Sequence, residues 1–91
     1  MAEILLERVE RSKLQEMKVF SWPIWECEPA TFDWYYSDRE VCYILEGRAR
    51  IEPTGGGEPV EIGPGDLVTF PADLSCVWTV IEPIRKHYHL G

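Results

Sequence analysis

Short apolar runs punctuated by glycine and proline make up most of this chain. Residues 3 to 9 read as a first strand in which Ile4, Leu6 and Val9 alternate only loosely. Ser12-Lys13-Leu14-Gln15 has the spacing of a helix capping box, which predicts one short helical turn through Met17. After it the pattern is strand after strand. Trp22 to Cys27 and Thr31 to Tyr36 are aromatic-rich, with Pro23 and Pro29 marking edges or bends. Glu40 to Glu46 and Arg48 to Glu52 flank Gly47 and read as two strands meeting at a tight glycine turn. Thr54-Gly55-Gly56-Gly57 is the strongest turn signal and connects the second of these to Val60-Glu61-Ile62. Gly63-Pro64-Gly65-Asp66 predicts another turn, leading into Leu67 to Phe70. Leu74 to Ile81 and Ile84 to Tyr88 are the last strands, separated by Glu82-Pro83.

About eight or nine short strands with regular turn signals fit an all-β fold, either an antiparallel barrel or a double-sheet sandwich. No internal repeat or linker divides the chain, so its 91 residues form one domain: an N-terminal arm over 1–21 and a barrel over 22–91. Val41-Cys42-Tyr43-Ile44-Leu45 is apolar on both faces, whereas a solvent-facing strand alternates. If Glu40, Cys42 and Ile44 point inward, then Val41, Tyr43 and Leu45 need cover. The arm with Trp22, Ile24 and Trp25 supplies it, or a second copy does in a homodimer; the pattern leaves both open.

Composition narrows the partners. A net charge of −7 argues against a nucleic-acid backbone as ligand. The start, MAEILLERVERSK, has no long apolar core, which predicts neither a secretory signal nor a membrane span. Three cysteines, Cys27, Cys42 and Cys76, share no metal-type spacing, and an odd number fits reduced thiols. The expected compartment is the cytoplasm, or an organelle should the chain be the processed part of a longer precursor.

Two stretches carry the chemistry. In DREVCYILEG, Glu40 is followed by six residues and then Gly47; in GDLVTFPADLSC, Pro71 follows five residues after Gly65. With WPIWE at 22–26, FDWYY at 32–36 and the closing RKHYHL, these blocks resemble a small single-domain cupin of the branch related to ureidoglycine aminohydrolase and to the ethanolamine-utilisation cupin. The resemblance implies an antiparallel double-stranded β-helix, a jelly-roll barrel with a pocket at one end. It also implies a metal held by three histidines and one glutamate. Of these only Glu40 stands in place. Counting four residues back from it puts Asp33 and Tyr35 at the first two histidine positions, and counting three puts Trp34 and Tyr36 there. Alternation does not choose, because Ser37-Asp38-Arg39 intervenes. In the second motif Asp73 replaces a glycine and Cys76 the histidine.

The candidate pocket residues are therefore Asp33, Tyr35, Glu40, Cys42, Cys76, Trp78 and His87. A metal, if one binds, would use Glu40, Cys76 and Tyr35. That set mixes a soft thiolate with hard oxygens, and the thiol and phenol must lose protons near pKa 8.5 and about 10 to coordinate. No cofactor is expected. Without a metal, a Glu40 aimed into a barrel needs a partner, such as Tyr35 or Lys86, because a lone buried carboxylate is costly. Cys76 with His87 could form a nucleophilic couple, although buried cysteines mostly fill space. Trp78 lies two residues beyond Cys76 and so on the same strand face.

The reading is a binding module for a small polar ligand. A metal-dependent, aminohydrolase-like enzyme acting on a small nitrogen-rich substrate is the alternative, and an assembly subunit using the strand around Tyr43 is the third. Whether the protein is catalytic stays open at this level.

Overall fold

The computed structural model of the protein describes residues 3–91. Seven strands, β1 (Leu5–Glu7), β2 (Ile24–Cys27), β3 (Ala30–Tyr36), β4 (Glu40–Pro53), β5 (Val60–Ile62), β6 (Leu67–Phe70) and β7 (Leu74–Leu90), join one short helix, α1 (Arg11–Glu16). A 3-10 turn at Val19–Ser21 follows the helix. All strand pairs are antiparallel. The all-β, antiparallel expectation holds.

The two long strands organise everything else. β4 and β7 pair from Glu40↔Leu90 to Pro53↔Cys76, with the register shifting on either side of Glu46 and Arg48. The first half of β4 also pairs with β6, which carries β1 on its far edge, and the last half of β7 also pairs with β2. The second half of β4 pairs with β5, and the first half of β7 with β3. Two layers result, continuous through the irregular middle of the β4–β7 ladder. Their inward residues share one core, including Cys42, Ile44 and Val68 from one layer and Ile51, Ile62 and Trp78 from the other.

Two turns expected from sequence are absent. Gly47 does not reverse the chain, and Glu82-Pro83 does not end a strand; both lie inside continuous strands. They face each other at the bulge, where Gly47 takes φ +86° and Pro83 has no ladder partner to miss its N–H. The helix starts two residues earlier than the capping-box reading required. Glu10 is its N-cap and makes no side-chain cap, while Ser12 lies within the helix. The Gly63–Asp66 turn forms as expected, held by the Gly63 N–H donating to Asp66 Oδ2 at 2.8 Å.

The outward face of β4 is covered from within the chain. Leu14 and Val19 of the arm pack with Val41 and Leu67, joined by Trp22 and Tyr43. Ile24 is exposed and Trp25 packs on the main core, so neither provides the expected cover. The arm also adds an edge strand, β1, to the sheet.

Candidate functional site

Residues directly opposite on antiparallel strands share a face. On β7, Cys76 and Trp78 are buried inward, and their partners on β3 are Trp34 and Phe32. Phe32, Trp34 and Tyr36 therefore face the interior of the barrel, and Asp33 and Tyr35 face away. The register thus follows the three-residue spacing to Glu40, not the four-residue spacing that puts Asp33 and Tyr35 in the site. The loop Ser37–Arg39 absorbs the difference.

A cavity of about 230 Å³ opens among these side chains. Trp25, Phe32, Trp34, Tyr36 and Trp78 form its aromatic wall. Tyr88 and Leu90, from the end of β7, extend the apolar lining, and Glu40 and Lys86 are its charged residues. Phe32 and Trp78 lie nearly parallel with centroids 6.1 Å apart, and Trp25 meets Trp78 edge-on at 5.9 Å. Trp34 is 47% exposed and stands at the mouth.

Inside, the Lys86 ammonium donates to Glu40 Oε2 at 2.9 Å, with both side chains buried. Glu40 pairs with Leu90 and Ile44 with Lys86, two steps apart on one face, so the long lysine stem reaches along the barrel interior. Burying either charge alone is costly, and the pairing offsets that penalty. Three rings complete the ammonium's surroundings: Trp78 at 4.8 Å, Trp25 at 5.0 Å and Phe70 at 5.9 Å from Nζ to centroid. Such faces attract a cation by about 0.5–2 kcal/mol each when desolvated.

The surrounding acids stay protonated. Burial, and then the nearby Glu40 charge, push the Tyr36 phenol far above its ordinary range. Its hydroxyl accepts a hydrogen bond from Trp78 Nε1 at 3.1 Å. Burial pushes the Cys42 thiol up to about 12 and the Cys76 thiol up to about 11, against a smaller downward pull from Lys86. Neutral thiols are poor nucleophiles, which weighs against a cysteine-based reaction.

Of the residues expected from sequence, Glu40 and Trp78 line the cavity. Cys42 and Cys76 point inward but lie in the core behind the lining, the Cys76 thiol donating to the Trp34 carbonyl at 3.7 Å. Tyr35 is exposed on the outer face, where its O–H donates to Asp73 Oδ1 at 2.7 Å; that bond raises the phenol's pKa. Asp33 lies on the same outer face. His87 is buried on the other side of β7, Nδ1–H donating to the Trp22 carbonyl at 2.9 Å and the ring edge-on to Phe20. No Cys76–His87 couple forms, because the two residues face opposite sides of one strand. Sequence reasoning named Lys86 only as a partner for Glu40 and did not find Trp25, Phe32, Tyr88 or Leu90. The alternation running on from Trp78 and Lys86 towards the C-terminus was the signal that could have found the last two.

The donors do not fit a divalent metal. Glu40 is engaged with an ammonium, Cys76 is a protonated thiol turned to a backbone carbonyl, and Tyr35 is outside. Among the described residues, no three His, Cys, Asp or Glu side chains converge. Among the same residues, no helix is long and apolar enough to cross a membrane.

A family model described as the EutQ-like cupin domain matches residues 14–88. The chain is similar to a DUF861 family protein from Thermotoga maritima, 49% identical over 98% of this chain and 100% of that one, with a TM-score of 0.94. The EutQ protein of Clostridium difficile is 21% identical with a TM-score of 0.66; the match covers 96% of this chain and 66% of that protein. A DUF861 family protein from Pseudomonas syringae gives a TM-score of 0.66 at 23% identity, over 75% of this chain and 29% of its own length. The last two similarities speak for the fold alone. No curated protein matches the chain.

Proposed function

The chain belongs to the EutQ-like cupin family, and from that premise we propose that it is a binding cupin: it holds a small organic molecule in the aromatic pocket beside Glu40 and Lys86, without a high-affinity metal. One observation carries the reading. The family-type glutamate is bonded to an ammonium of the chain itself at 2.9 Å, inside a cavity large enough for a ligand. A concave apolar pocket with a few convergent polar groups is the form that small-molecule sites take. The three unpaired cysteines accord with a reducing, cytoplasmic setting.

The metal-dependent, aminohydrolase-like alternative asks Glu40 to coordinate a metal, and its engagement with Lys86 weighs against that. Thermal shift over a panel of aromatic amides, amino acids, ureides and sugars tests the binding reading. A saturable rise in melting temperature, lost in Trp78→Ala, is the expected result. No shift with any compound would sink it. Stoichiometric divalent metal in protein purified without chelator would overturn the metal-free part.

A further inference from the structure

We propose that the pocket selects an uncharged, planar, single-ring molecule bearing a carboxamide or lactam edge; this rests on the binding reading above. Charge comes first. Glu40 and Lys86 cancel, and among the described residues no third charged side chain lines the cavity. An anion or a cation entering it would shed its hydration without net compensation, at a cost of several-fold to many-fold in affinity. The aromatic faces that would hold an external cation already hold the ammonium of Lys86. A ligand cation would meet that like charge at close range.

Hydrogen bonding comes second. Lys86 gives one N–H to Glu40 and has others to offer. Glu40 uses Oε2 for Lys86. No buried polar side-chain atom of the described residues is left without a partner, so Oε1, for which no partner is found among those residues, is open to the cavity that Glu40 lines. Tyr36 accepts from Trp78 and keeps its own O–H to donate. The pocket therefore presents donors beside an acceptor, the complement of a carbonyl next to an N–H. Size comes third. A cavity of about 150 Å³ takes benzene, so about 230 Å³ takes one ring with a small substituent.

The test is titration calorimetry, with tryptophan fluorescence, of benzamide, benzoate, benzamidinium and toluene at neutral pH. Benzamide is expected to bind at least tenfold tighter than the other three. Glu40→Gln leaves a net positive pocket and is expected to invert the order of benzamide and benzoate. Should that variant fail to fold, Trp34→Ala at the exposed mouth serves instead, weakening all binding while benzamide stays first. Benzoate or benzamidinium binding as tightly as benzamide would overturn the inference and leave the binding reading standing. Binding of none of the four would overturn the inference too, and the wider thermal-shift panel then decides the binding reading separately.

Discussion

Gly47 and the Pro83 carbonyl face each other across the β4–β7 bulge with no room between them for a β-carbon. Gly47 also takes φ +86°, a conformation that side chains disfavour. Both effects act on Gly47→Ala, which is expected to lose about 3 kcal/mol or more. Denaturant unfolding measures it, and a loss well under 1 kcal/mol would show that the bulge relaxes freely.

Removing one partner of the interior ion pair exposes the other's burial cost. Glu40→Gln leaves the Lys86 ammonium in an apolar site and is expected to cost about 3–5 kcal/mol. The double change Glu40→Leu with Lys86→Met removes both charges and should cost less than Glu40→Gln alone. Equal losses in single and double variants would contradict the pairing.

Thiol labelling distinguishes the cysteines. Cys27 is half-buried, whereas Cys42 and Cys76 are buried and their thiols raised in pKa. Native protein at neutral pH should react quickly at one thiol and reveal the other two only on unfolding. Rapid reaction at Cys76 would mean that the pocket wall opens.

The same thiols set an alkaline limit. Burial carries them well above the ordinary thiol range in the folded protein, Cys76 to about 11 and Cys42 to about 12. Above about pH 9 the unfolded chain has lost these protons while the folded chain keeps them, so stability falls with rising pH by about 1.4 kcal/mol per unit for each thiol. Below that pH the contribution is fully present. Cys42→Ala with Cys76→Ala should flatten the curve just above pH 9; an unchanged slope in that variant would refute the assignment. Tyr36, held neutral far above 10.0, adds to the fall at still higher pH.

Asp73 takes φ +65° where the family pattern has glycine. Asp73→Gly relieves the backbone but loses the exposed bond to Tyr35, so the net change should stay within about 0.5 kcal/mol. Asp73→Val cannot adopt this conformation cheaply and should cost about 1–2 kcal/mol. Thermal melts of the pair decide it; a harmless valine would show that the turn has another form.

Backbone requirements were the legible part of the sequence. The left-handed Gly65 announced its turn because few residues can substitute there, and strand existence followed from apolar runs between turn residues. Strand continuity was hidden. Gly47 and Pro83 look like punctuation locally, and only the pairing of β4 with β7, distant in sequence, makes them a bulge. The pocket was half legible for the same reason. Glu40 follows from motif spacing and Trp78 from alternation beyond Cys76, but the parity of β3 depends on how many residues the Ser37–Arg39 loop consumes. Lys86 became part of the site because its stem is long enough to cross two steps of the ladder.

That lysine has one more consequence. The positive charge of this pocket is covalently part of the polypeptide, so it cannot be chelated, exchanged for a competing ion or lost on dilution. A site built this way inherits its ion pair with the sequence instead of acquiring a cation from solution.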